Sequence, residues 1–259
     1  MITREAALSL PWVPTAAETA LTTPSEFTFG VEIEVFSPYP RDELADLLTK
    51  KQSIDARVVW FTHDVTPYWK LLRDGTLVDE CPKNHYGIEL VSPVLSGEKG
   101  IEETKKVIKE LKVAPVITDD RTGLHVHVGR PREGWTLPEL KKLAKAFILQ
   151  EETFDGLVSE SRRGDTNPQL RSNAALWGDR DLVEIDAATD IHTLINLVNS
   201  NGHGDSCRYF KLNFEAVKMY GTVEFRQQTA TVDSAATIAW IDAVLHFCRW
   251  TLQNDFVDR

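Results

Sequence analysis

Alternation in the segment Phe29-Gly30-Val31-Glu32-Ile33-Glu34-Val35-Phe36 constrains this chain more than any other feature. Successive side chains of a β-strand point to opposite faces, so Val31, Ile33 and Val35 share one face while Glu32 and Glu34 share the other. Two like charges on one face repel, and a surface strand could simply solvate them. The chain, however, repeats the design. Glu89 alternates with Ile88 and Leu90 after Gly87. His125 and His127 alternate with Leu124, Val126 and Val128 after Gly123, and Glu224 and Arg226 alternate with Val223 and Phe225 after Gly221. Four strands thus pair an apolar face with a face of metal- and phosphate-competent groups, and the expectation is that these polar faces meet in one concave site.

The length of 259 residues and a hydrophobic content of 42% allow a sizeable core. A net charge of −10 and the absence of a basic stripe argue against a nucleic-acid partner. Three widely spaced cysteines offer neither a disulfide framework nor a zinc knuckle, which fits a cytoplasmic setting. No run approaches the ~18 apolar residues of a membrane span, so no membrane association is expected.

Residues 1–25, rich in Ala, Thr and Pro, read as a disordered N-terminal arm, and 26–259 as a single domain. After the first strand, Leu44, Leu47 and Leu48 mark a short amphipathic helix from Arg41 to Lys51. The stretches Arg57–Thr62 and Tyr68–Leu72 read as paired strands. Asp74-Gly75 is first a turn signal, though a turn at the mouth of a sheet also offers a carboxylate to a substrate. Further helices are expected over Glu98–Lys112, from an N-cap at Thr136 through Phe154, over Asp190–Asn199, and after an Asp233 cap. Tyr209–Val217 and Thr222–Gln228 are expected to form a hairpin turning near Lys218–Gly221. The polar segments Ser159–Asn173 and Ser200–Ser206 read as loops; Arg162 and Arg163 in the first could clamp a polyphosphate or simply be solvated. Strands and helices do not alternate regularly, so an α+β class with a mainly antiparallel sheet is expected.

Glu32, Glu34, Glu89 and Glu224 with His125 form an oxygen-rich donor set that suits Mg²⁺ or Mn²⁺ better than zinc. Crowding four carboxylates in a half-buried place without cations would cost on the order of several kcal/mol. The two histidines could equally be a structural pair bonded to neighbouring backbone. Arg226 on the same face as Glu224 either pairs with it or meets an anionic ligand, for which phosphate is the economical choice. Neither a P-loop nor a Rossmann glycine turn is present.

These segments, in order Gly30–Glu34, Asp74–Thr76, Gly87–Pro93, Gly123–Gly129 and Gly221–Arg226, resemble the amidoligase family of the carboxylate-amine ligase superfamily, which includes glutamine synthetase and glutamate-cysteine ligase. The resemblance runs from about Phe27 to Trp250 and rests on five motifs rather than one. It implies a glutamine-synthetase-like catalytic domain, a curved, mainly antiparallel sheet with helices packed on the convex face, binding ATP with two or three Mg²⁺ on its concave side. By similarity, Glu34 and Glu89 would hold the metal nearer the reacting carboxylate, and Glu32, His125 and Glu224 the metal on the ATP phosphates. His127 and Arg226 would contact the transferring phosphate. Asp74 would bind and deprotonate the amine, and Asn213 falls in a segment the family shares.

The chain is short for the superfamily and shows no separate N-terminal β-domain of the glutamine synthetase kind. Thr76 stands where glutamine synthetase usually has Ser. Neighbouring subunits complete the site in some relatives, which leaves a homo-oligomer open. The expected activity is ATP-dependent amide formation between a small-molecule or peptide carboxylate and an amine through an acyl phosphate. A guanidine or carboxylate kinase on the same scaffold, or a non-catalytic nucleotide- or metal-binding relative, are the alternatives.

Overall fold

The computed structural model describes residues 26–60, 62–77, 81–131 and 133–256. The arm expected over 1–25 lies outside the described residues. The class is α+β, with seven strands and eight α-helices among the described residues and mostly antiparallel strand pairing. The chain divides into two compact units, each discontinuous: 26–128 with 228–241, and 129–227 with 242–256.

The first unit holds five strands: β1 (Thr28–Ser37), β2 (Ala56–Val58), β3 (Trp69–Arg73), β4 (Tyr86–Val91) and β5 (Gly123–Gly129). Their order across the sheet is β2-β3-β4-β1-β5. Strand β4 runs antiparallel to both β1 and β3, whereas β2 and β3 pair in parallel. In the register, Ile33 stands opposite Leu90 and Leu90 opposite Leu71, a row in which all three side chains are 0% exposed. This is the apolar face that the alternation predicts. Helix α1 (Arg41–Gln52) packs on β2, β3 and α2 (Gly97–Val113), and it buries Leu44 and Leu48 while α2 buries Val107, Ile108 and Leu111. Trp69 Nε1 donates to Glu103 Oε1 at 2.7 Å, which fixes β3 to α2 through a satisfied buried indole.

Helix α1 stops where Ser53 turns left-handed at φ 56° and returns its N–H to the Leu48 carbonyl. Where the chain re-enters this unit, Asp233 accepts from the N–H groups of Ala235 and Ala236 and starts α8 (Ser234–Gln253), as expected of an acidic N-cap.

The second unit is mainly helical. Helix α3 (Leu137–Gly156) opens with a complete capping box, in which Thr136 and Glu139 satisfy each other's backbone N–H and Pro138 sits in the first turn. Helices α4 (Asn173–Trp177), α5 (Val183–Asp186) and α6 (Ile191–Val198) follow, the last capped by Asp190. Phe154 lies 5.0 Å, centroid to centroid, from both Phe147 of α3 and Phe247 of α8, with Phe225 of β7 (Thr222–Thr229) completing the aromatic core.

The expected hairpin over Tyr209–Gln228 is corrected here. Strand β6 (Leu212–Asn213) pairs antiparallel with β7, but helix α7 (Glu215–Tyr220) connects them. Asn213 Oδ1 accepts the Glu215 N–H at 2.8 Å, so the strand ends in a side-chain turn that nucleates a helix, and Gly221 closes it at φ 69°.

Candidate active site

In the first unit, register builds a polar face as regular as the apolar one. Glu34 stands opposite Glu89, and Glu89 opposite Leu72; one row along, Glu32 stands opposite Val91 and Val91 opposite Lys70. All three glutamates are half-buried. His125 and His127 of β5 are buried, and the Glu32 carboxylate accepts from both: its Oε2 lies 3.1 Å from His125 Nδ1 and its Oε1 3.1 Å from His127 Nε2. His125 Nε2 is also 3.9 Å from Glu34 Oε1. The histidines are therefore held by side-chain carboxylates.

Glycines make this convergence sterically feasible. Glu34 Oε2 accepts the Gly123 N–H at 2.6 Å, and a Cβ at Gly123 would come within 2.6 Å of His125 Nε2. At Gly87 a Cβ would meet the Leu77 Cβ at 2.7 Å, so only glycine lets the segment after Asp74-Gly75-Thr76 lie against β4. Asp74 Oδ1 accepts from both the N–H and the hydroxyl of Thr76 at 2.7 Å, so one oxygen of this carboxylate serves its own turn.

The charges on this face are unequal. Burial alone would push Glu32 up, but the charge of His127 and the hydrogen bonds from both imidazoles outweigh it and hold Glu32 well below the usual carboxylate range. Glu89 goes the other way. Burial, then the charges of Glu32, Asp74 and Glu34, push it well above that range.

Sequence reasoning missed Lys70. It is 6% exposed, its Nζ donates to the Asp64 carbonyl at 2.9 Å, and burial lowers its pKa against the opposing pull of Glu32, Glu89 and Asp64. Its signal was the even position it shares with Leu72 in Trp69-Lys70-Leu71-Leu72-Arg73, which has no meaning until β3 is registered on β4.

In the second unit, Glu224 of β7 stands opposite Asn213 of β6. Asn213 Nδ2 donates to Glu224 Oε2 at 2.6 Å, and Arg226 donates to Glu224 Oε1 at 2.7 Å. Arg226 therefore pairs with Glu224, one of the two readings that its spacing allows. Behind β7, the fully buried Lys211 bridges Glu151 at 2.8 Å and Asp155 at 2.6 Å, and Gln227 donates to the same Asp155 carboxylate. Arg162 is buried, and its carbonyl accepts from Gln227. Arg163 donates through two nitrogens to the Val158 carbonyl, closing its own loop. Arg171 lies 4.7 Å over the Phe210 ring and donates to the Ser200 carbonyl, so the two polar segments are joined.

In the first unit the structure thus gathers Glu32, Glu34, Glu89, His125 and His127 on one sheet face with Asp74 at its margin, and within the second unit it joins Glu224, Arg226 and Asn213. The first group fits a hard divalent cation by the chemistry of its donors, which are mostly carboxylate oxygens with imidazole beside them. The raised Glu89 is the mark of an acidic set crowded in a low-dielectric place, where a cation would relieve the repulsion. No helix among the described residues is long and apolar enough to cross a membrane.

A comparison with curated proteins gave no match. A family model described as "Putative amidoligase enzyme" matches residues 25–251, nearly the whole chain, and the protein therefore belongs to the amidoligase family.

Proposed function

We propose that this amidoligase is an ATP- and Mg²⁺-dependent carboxylate-amine ligase on a glutamine-synthetase-like fold. The observation that carries the reading is the convergence of Glu32, Glu34 and Glu89 with His125 and His127 on one face of the sheet, where the mutual repulsion of the carboxylates raises Glu89 and a bound cation would relieve it. As the family resemblance implies, Glu34 and Glu89 would hold one cation, Glu32 and His125 would hold another, and Glu224 would serve as a further carboxylate ligand. Bound there, the cations neutralise charge on the transferring phosphoryl group, which is where most of the rate gain in such a transfer arises.

The γ-phosphoryl group passes to a carboxylate oxygen of the acid substrate, giving an acyl phosphate and ADP. His127 and Arg226 bind the transferred group. Asp74 positions the amine and takes its proton as nitrogen attacks the acyl carbon, and phosphate leaves as the amide forms. The acid is an amino acid or peptide carboxylate.

The test is ADP release across a panel of amino acids, peptides and polyamines with Mg²⁺ and ATP, followed by mass spectrometry of the products. Joining of two substrates with loss of water supports the ligase. A product carrying a new phosphate replaces that reading with a kinase on the same scaffold. Binding of ATP and Mg²⁺ by calorimetry without any ADP release would leave a non-catalytic relative.

A further inference from the structure

Two of the strands that form the glutamate face also border a cavity of 590 Å³, within the range that holds a metabolite-sized ligand. Arg41, Asp42, Arg73, Cys81, His85 and Tyr86 line it. Arg73 stands opposite Ile88, whereas Glu89 stands opposite Leu72, so Arg73 belongs to the row that the glutamates do not occupy.

Among the described residues, the lining carries two arginines against one carboxylate, Asp42. Among the described residues, the Arg73 side chain makes no hydrogen bond or ion pair. Arg41 gives one N–H to the Val59 carbonyl at 3.3 Å and has no carboxylate partner. Asp42, the acidic residue of the lining, pairs with neither arginine. Burial pushes the Cys81 thiol up, so it adds no negative charge. His85 gives its Nδ1–H to the Lys83 carbonyl at 3.2 Å. Elsewhere in this unit exposed arginines find carboxylates, as Arg57 does with Asp55 at 2.8 Å and Arg121 with Asp119 at 2.5 Å. Two guanidinium groups left unpaired at a concavity repel each other, and a concave wall of low dielectric strengthens the field they share.

We propose that this cavity binds a small oxyanion, a carboxylate or phosphate of metabolite size, held between Arg41 and Arg73. A planar guanidinium presents parallel N–H donors that match either group. The site stands apart from the ligase reading, because none of its residues is a proposed cation ligand and it requires neither ATP nor Mg²⁺.

Isothermal titration of the full chain in EDTA, with inorganic pyrophosphate and with glutarate as probes, tests this. At least one probe binds with a dissociation constant below about 1 mM. Because the Arg73 side chain is exposed and makes no hydrogen bond or ion pair among the described residues, R73Q folds, and it weakens binding by about tenfold, with R41Q acting in the same direction. R226A leaves the affinity within about twofold. Binding of pyrophosphate alone assigns a phosphate ligand, and of glutarate alone a dicarboxylate. Failure of both probes, an unchanged affinity in R73Q, or loss of binding in R226A overturns the proposal.

Discussion

Glu34 and Gly123 are joined by a 2.6 Å hydrogen bond from backbone N–H to carboxylate across 89 residues of sequence. It turns a glutamate that the alternation leaves facing its like-charged neighbour into a fixed acceptor, and it locates β5 beside β1. A Cβ at Gly123 would come within 3.2 Å of the same carboxylate as well as of His125. G123A should therefore displace the His125 ring, lowering stability by about 1–3 kcal/mol and weakening Mg²⁺ binding. Denaturant unfolding and metal titration of one preparation check both.

Removing the function should not remove the fold. E34A and R226A are expected to lower ADP release by at least about a hundredfold, while circular dichroism stays near wild type and the stability falls by no more than the about 1–3 kcal/mol that losing one buried hydrogen-bond partner costs. Loss of the folded signal in both variants would instead make these side chains structural.

The raised pKa of Glu89 carries a sign. A carboxyl whose folded value exceeds its unfolded one stabilises the fold fully below the unfolded value, and that contribution is lost as pH rises through the folded value. In EDTA, the melting temperature should fall as pH rises through the range above the ordinary carboxylate pKa, and E89Q should remove that fall. Glu32 acts oppositely, since its depressed pKa gives stability that is lost as pH drops below the ordinary value. A fall on the alkaline side that E89Q leaves unchanged would assign the effect to another group.

Lys70 stands in the row of Glu32 on the glutamate face, so it would compete with the proposed cation for the same carboxylates. K70M should tighten Mg²⁺ binding several-fold, on the order expected for one charge at a partly screened distance, whereas K70R should not. Calorimetric titration distinguishes this from a purely structural lysine, which would change stability and leave metal affinity alone.

Lys211, 0% exposed between Glu151 and Asp155, belongs to a different class of charge. K211M leaves two carboxylates without their cation and should destabilise the protein by about 3–5 kcal/mol, measured by urea unfolding.

Which candidate residues share a strand face was legible in the sequence, for a physical reason visible at particular positions. Strand alternation is local, so Glu32 and Glu34 had to share a face, as did His125 with His127 and Glu224 with Arg226. The helix caps at Thr136, Asp190 and Asp233 were equally readable, because a cap is a contact within one turn of chain. The hairpin expected before β7 failed at Asn213, whose side chain can extend a strand or start a helix; its bonds to Glu215 and Glu224 selected the second.

The sequence by itself determined which side chains stand on the same side of each strand and where the longer helices begin, since both follow from backbone geometry within a few residues. Only the tertiary structure decided that Glu89 faces Glu34, that Lys70 shares the row of Glu32, and that one carboxylate holds both histidines. Pairing between strands tens of residues apart is set by the burial of Ile33, Leu71 and Leu90 in a single row, and a slip of one residue would turn every one of those groups to the other face.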